Sequence, residues 1–235
     1  MFDDSKEFSI FMVFDLQEDE LASIRALCGA ETMELQYEQD GLEGRLILSN
    51  IDMSSVEFES IVARVRATVA DRLYADRDTT LEECVVRQAL ERGVKIGVAE
   101  SLTGGMVCSR IVNVSGASSV LQEGLVTYTD AAKVRRLHVK LSTLENSGVV
   151  SAEVAREMVA GLLANKEIAL GVSTTGCAGP ASDEYDTPVG LAYVAVGDRN
   201  RIETYALMFD GTRNHIRKCT TDYALHQVLE YLKKL

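Results

Sequence analysis

No apolar run in this chain approaches the ~20 residues needed to cross a bilayer. The opening Met1-Phe2-Asp3-Asp4 lacks the basic start of a secretory signal. The expectation is a cytoplasmic protein with no membrane partner. Cysteine is sparse: Cys28, Cys84, Cys108, Cys177 and Cys219 are odd in number, scattered, and never spaced as C-x-x-C. That spacing indicates neither a disulfide framework nor a cysteine zinc site. His138, His215 and His226 form no H-E-x-x-H, so no histidine-based metal site is expected. Basic runs are missing too, which makes general nucleic-acid binding a poor fit. Tryptophan is absent and proline occurs twice, in a chain of 235 residues that is 46% hydrophobic. This is a globular composition, long enough for one large core or for one core plus a small appended domain.

Several familiar sites are excluded by spacing. There is no G-x-x-x-x-G-K-[ST] and no G-x-G-x-x-G after a strand. Gly171-Val172-Ser173-Thr174-Thr175-Gly176 has the wrong spacing for a G-x-S-x-G elbow. Tyr128 and Lys133 are five apart, and Ala132 stands where a short-chain dehydrogenase would need its lysine.

The net charge of -12 is unevenly spread: residues 1–80 carry 18 acidic and 7 basic side chains, and residues 81–235 carry 18 and 17. The step argues for two units, a small acidic α/β domain over 1–77 and a larger domain over 78–235. In the first, the pattern predicts a strand over 8–14, a helix over 18–27, strands over 33–37 and 44–48 joined through Asp40-Gly41, and an amphipathic helix over 56–73. In the second, helices follow Thr80, Gly105 and Ser151, and strands are expected over 94–100, 125–128 and 168–174. Two neighbouring strands, 189–196 and 202–209, precede a last helix capped by Thr212. Helices alternate with strands until two strands come together, which predicts an α/β fold with a mixed sheet flanked by helices.

The second unit is organised around residues 94–105, where an apolar run stops at Glu100-Ser101-Leu102-Thr103-Gly104-Gly105. A strand, a tight turn and a helix start would set Ser101 and Thr103 beside unpaired backbone amides that favour an anion. A serine there serves as nucleophile, phosphate ligand or helix cap, and the stretch alone leaves all three open. Tyr128 and Lys133 follow a second strand; Thr175, Gly176 and Cys177 follow a third. If these strand ends converge, the crevice fits amide hydrolysis through an acyl-enzyme. Ser101 would attack, Lys133 would take its proton if burial lowers its pKa, and Tyr128 would relay or orient it. Amides near Thr103-Gly104 or Thr175-Gly176 would hold the oxyanion. Each residue also has a plain structural role open to it: Lys133 as a solvated lysine, Tyr128 as a core tyrosine, Cys177 as a small buried residue. Arg213 and Arg217 are either surface charges or a grip on a substrate phosphate.

At these residues the sequence resembles the CinA C-terminal domain family, the nicotinamide-nucleotide amidohydrolases. The resemblance is carried by Ala99-Glu100-Ser101-Leu102-Thr103-Gly104-Gly105, Gly124 to Lys133, and Gly148-Val149-Val150-Ser151. It continues through Thr175 to Pro180, Pro188-Val189-Gly190, and Phe209 to Arg217, in family order over roughly 78–235. It implies deamidation of nicotinamide mononucleotide to nicotinate mononucleotide and ammonia, without a cofactor. Ser101 would be the nucleophile, assisted by Tyr128 and Lys133, with Thr175 in the site. Thr103, Gly104, Gly105 and Gly176 would border the substrate, an arginine of the last motif would serve its phosphate, and the protein would be a homodimer. Residues 1–77 resemble the small connecting domain that precedes the amidase in longer members. An acidic stretch, 181–186, stands where the family is glycine-rich. It keeps open the alternative of a catalytically silent domain that binds a nucleotide or a partner, and a cysteine amidase using Cys177 is a third reading.

Overall fold

The computed structural model describes residues 7–29, 32–183 and 186–235. Residues 1–4, read above against a secretory signal, and Glu184 and Tyr185 of the acidic stretch lie outside the described residues. The chain divides into two compact units, Met1–Leu81 and Glu82–Leu235.

The first unit runs β1 (Phe8–Phe14), α1 (Glu18–Cys28), β2 (Met33–Asp40), β3 (Glu43–Asn50), α2 (Ser55–Thr68) and β4 (Leu73–Ala75). The sheet has the order β2-β3-β1-β4 and is antiparallel throughout. Strand alternation puts Phe11 and Val13 on one face with Leu46 and Leu48. There they meet Ile24 of α1 and Phe58, Val62 and Val65 of α2. The β2–β3 connection is tighter than the sequence suggests, because Asp40 pairs with Glu43 and only Gly41 and Leu42 turn the chain. Gly41 takes φ +66°, which favours glycine.

The helix expected over 56–73 ends early, at Thr68. The Arg72 amide turns back onto the Val69 carbonyl at 2.8 Å, and Phe14 of β1 donates to the Arg72 carbonyl at 2.8 Å. The open edge of β1 offers ladder partners that one more helical turn does not, so Leu73 continues as a strand.

The second unit runs α3 (Leu81–Arg92), β5 (Ile96–Glu100), α4 (Met106–Val112), β6 (Leu121–Val126), α5 (Asp130–Leu137), α6 (Leu141–Ser147) and α7 (Ala152–Leu162). It closes with β7 (Leu170–Gly176), β8 (Leu191–Gly197), β9 (Ile202–Met208) and α8 (Arg213–Lys234). The sheet order is β6-β5-β7-β8-β9. β6, β5 and β7 are parallel, and β8 and β9 are added antiparallel. This is the mixed sheet read from the sequence. Tyr193 and Ala195 of β8 pack with α7, while Ala192 packs with Ile216 of α8. Alternate residues of one strand face opposite sides, so helices cover both faces.

Two helices were not expected. β6 starts at Leu121 and ends at Val126, so Thr127 and Tyr128 leave the sheet. Asp130–Leu137 is then a helix whose first turn is capped by Thr129, accepting from the Ala132 amide at 3.2 Å. Its buried positions are Lys133 and Leu137. An ammonium side chain at a core position breaks the apolar period by which a helix is recognised. α6 is one short helix of seven residues with Leu144 as its buried anchor, too brief for a period to show. Among the described residues, no helix is long and apolar enough to cross a membrane.

Candidate active site

β5 is buried along its whole length and points its carboxyl end at the turn 101–105. Its two parallel neighbours end beside it. The Ser101 amide donates to the Thr174 carbonyl of β7 at 3.0 Å, and the Thr127 amide donates to the Glu100 carbonyl at 2.8 Å. Both ladders thus run one step past the strands and fix Ser101 between β6 and β7. Open α/β sheets bind ligands outside such carboxyl ends.

Lys133, in the first turn of α5, reaches back under Ser101. Its Nζ donates to Ser101 Oγ at 3.1 Å and to the Thr127 carbonyl at 3.1 Å. Lys133 has no solvent exposure and Ser101 keeps 7%. Burial lowers the lysine pKa from its ordinary value, and the carboxylate of Asp130 opposes that shift in part. Burial of this kind favours the neutral amine over the ammonium.

A cavity of about 240 Å³ opens above Ser101. Its lining includes Ser101, Leu102, Tyr128, Val149, Thr175, Gly176, Cys177, Asp183 and Arg213. Ser101, Tyr128, Thr175, Gly176 and Arg213 are therefore brought together as the sequence reading requires, with Lys133 buried behind the serine. Tyr128 is 58% exposed, and its phenol accepts from Arg213 Nη2 at 3.0 Å. Arg213 also donates through Nη1 to the Gly179 carbonyl. Thr175 is buried and spends its hydroxyl on the Val149 carbonyl at 2.9 Å. The Cys177 thiol contacts the Ala181 carbonyl at 3.6 Å and no base among the described residues.

Four residues read as substrate-binding lie outside this lining. The Thr103 hydroxyl is buried against Thr174 Oγ1 at 2.7 Å. The Gly104 amide closes on the Ser101 carbonyl at 3.1 Å. The Gly105 amide donates to Glu100 Oε2 at 2.9 Å. Arg217 donates through Nε to the Leu102 carbonyl and through Nη2 to the Thr103 carbonyl, each at 2.9 Å. The amides of Gly104 and Gly105 are thus already taken by the protein, and Arg217 is a clamp on the turn. The residue that sequence reasoning missed is Glu100, fully buried, whose carboxylate also accepts from the Val107 and Cys108 amides. A signal for it existed: an acidic residue at a strand end just before a helix start is a candidate cap.

Charge is also buried behind the site. Arg110 of α4 pairs with Glu82 of α3 and with the fully buried Asp222 of α8, the latter at 2.6 Å. Among the described residues, no group of three or more His, Cys, Asp and Glu side chains is arranged to hold a metal ion.

The chain is similar to known proteins. Residues 78–232 match the CinA C-terminal domain family. A relative in Caldicellulosiruptor saccharolyticus, named as competence-damage inducible, is 40% identical over 167 residues, covering 71% of this chain and 41% of the relative. One of the same name in Alkaliphilus metalliredigens is 38% identical over 199 residues, covering 83% of this chain and 48% of the relative. The chain thus spans less than half the length of these curated relatives. The crystal structure of the competence/damage inducible protein CihA from Agrobacterium tumefaciens superposes with a TM-score of 0.61 at 33% identity, covering 65% of this chain and 95% of that one. A CinA superfamily protein from Klebsiella pneumoniae gives 0.63 at 28% identity, covering 67% of this chain and all of that one. With the family matched across nearly all of the second unit and the fold shared with its solved members, this chain belongs to the CinA C-terminal domain family.

Proposed function

We propose that the second unit is a serine amidohydrolase that converts nicotinamide mononucleotide to nicotinate mononucleotide and ammonia. The observation that carries this reading is the buried Lys133 Nζ, 3.1 Å from Ser101 Oγ at the floor of the cavity. Neutral Lys133 accepts the serine proton as Oγ bonds to the carboxamide carbon. The carbonyl electrons move onto oxygen. Amides that could meet that oxyanion include those of Leu102, Ala178 and Gly179, which line the cavity and for which no backbone hydrogen bond is formed among the described residues. Collapse breaks the C–N bond, and the nitrogen leaves as ammonia with the proton from Lys133. Water then attacks the ester and gives its proton to Lys133. The second collapse returns a proton to Ser101 and frees the carboxylate.

Arg213 is the guanidinium placed to take the substrate phosphate, and Tyr128 holds it in position. Thr175 shapes the wall by fixing Val149. The first unit is read as the connecting domain of longer members. The Alkaliphilus relative supports this, since its match covers more of the chain than the second unit alone contains.

The test is ammonia release from nicotinamide mononucleotide with and without a chelator. Activity that survives chelation and is lost in Ser101→Ala is expected. A Ser101→Ala protein with full activity removes the serine mechanism. A second reading, a silent nucleotide-binding domain, draws on Asp183, whose carboxylate in the lining opposes a phosphate. It predicts saturable binding with no ammonia.

A further inference from the structure

Glu100 is the last residue of β5 and the immediate neighbour of Ser101. A carboxylate with no exposure is costly unless hydrogen-bonded. Here Oε2 accepts from the Gly105 amide at 2.9 Å and the Val107 amide at 3.1 Å, and Oε1 accepts from the Cys108 amide at 2.9 Å. A helix leaves its first four amides without intrahelical partners. In α4 the remaining one, Met106, donates to the Thr103 carbonyl at 3.3 Å. The start of α4 is therefore fully satisfied from within the protein.

The turn that these bonds close holds two glycines at φ +61° and +99°, Gly104 and Gly105. Glycines in that region give the backbone freedom that something else must remove. Glu100 removes it from the inside, and Arg217 removes it from the outside through the Leu102 and Thr103 carbonyls.

We infer that Glu100 is a positioning residue for Ser101: its carboxylate is the resident anion of the α4 amides, fixes the 101–105 turn against β5, and denies that helix start to the anionic end of a substrate. The inference deepens the serine-amidase reading and rests on it. A substrate phosphate is then left to Arg213 at the cavity rim. A glutamine at 100 keeps the shape but presents an N–H to amides that are themselves donors, so the turn opens by a fraction of an ångström.

The experiment compares wild type with Glu100→Gln and Glu100→Ala. Misplacement of a reacting group by about 1 Å costs about 100-fold in rate. We expect Glu100→Gln to lower kcat by about 10-fold or more at an unchanged KM for nicotinamide mononucleotide, on the same scale. The rate at which a fluorophosphonate probe labels Ser101 should fall in the same proportion, since that rate reads the serine without the substrate. Glu100→Gln with wild-type kcat and labelling overturns the inference. A raised KM with unchanged kcat also overturns it, because it would put Glu100 at the substrate. If Glu100→Ala does not fold, Glu100→Gln carries the test. If wild type is labelled at Ser101 but releases no ammonia, the substrate reading fails while the labelling rates still decide the role of Glu100.

Discussion

Replacing Lys133 by methionine should uncouple catalysis from stability. The unbranched methionine keeps most of the buried volume. What is lost is the amine, with its bonds to Ser101 Oγ and to the Thr127 carbonyl, both at 3.1 Å. Removing a general base of this kind lowers kcat by about 10²- to 10⁴-fold. Stability responds differently. Burial holds the lysine below its ordinary 10.5, against the weaker pull of Asp130. Between the lowered folded value and 10.5, the unfolded chain carries a proton that the folded chain does not. Wild-type unfolding free energy therefore rises with pH across that window, with a slope of up to about 1.4 kcal/mol per pH unit for one proton. Below the window both states are protonated, and the folded state bears the full cost of a buried ammonium. Lys133→Met has no such group and no such slope. The two lost hydrogen bonds cost about 1–3 kcal/mol each where a buried acceptor is left unpaired, and that term does not change with pH. Wild type minus variant stability should thus be lowest below that window and climb through it toward pH 10.5. Urea unfolding of both proteins across that range measures the difference, and ammonia release measures the catalytic loss. A difference that stays flat with pH, or a variant that keeps its activity, would refute the buried-base account.

Arg213→Ala should raise KM for nicotinamide mononucleotide by about 10- to 100-fold, the worth of a charge-assisted hydrogen bond, and barely change turnover of the riboside that lacks the phosphate. Equal losses on the two substrates in steady-state assays would move the phosphate elsewhere. Gly161→Ala should destabilise the protein by about 1–3 kcal/mol or more through overpacking. The reason is that a Cβ at 161 would stand 2.1 Å from the backbone carbonyl of Leu137, at the end of the helix that carries Lys133. Thermal unfolding and kcat should both fall, and a wild-type Tm would contradict the close approach of α7 to α5.

The parts of the fold that were legible depend on neighbours in sequence. Position and residue type mark Ser151 and Thr212 as caps, and each accepts from the amide three residues on, Val154 and His215, at 3.3 Å. The strand–turn–helix around Ser101 was legible for the same reason, as was the closing of the sheet by two consecutive strands. What failed was decided by tertiary partners. Leu73 left a helix because β1 had an open edge. α5 was hidden because its core position is a lysine. Arg213 and Arg217, one turn apart on α8, are indistinguishable by spacing. Only the docking of α8 sends one to the cavity rim and the other into the turn. The amides after Gly104 look like an anion site until Glu100 is seen to fill them.

That last point bears on the base proposed here, Lys133. An ion pair with a carboxylate would keep the proton on Nζ. The carboxylate that pulls on the lysine in this fold is Asp130, one turn ahead of Lys133. Glu100 has both oxygens engaged by the first amides of α4, where the helix dipole favours a negative charge. Asp130 stands in the first turn of α5, which favours it in the same way, and its pull on the lysine is outweighed by burial. The Glu100 carboxylate is thus committed to the start of α4. Among the described residues lining the cavity, the cation left for a substrate anion is Arg213. In the proposed reaction, proton transfer and anion binding fall to two different basic side chains, Lys133 buried and Arg213 exposed. A site that placed the phosphate at the α4 amides would have to displace the Glu100 carboxylate from all three of them.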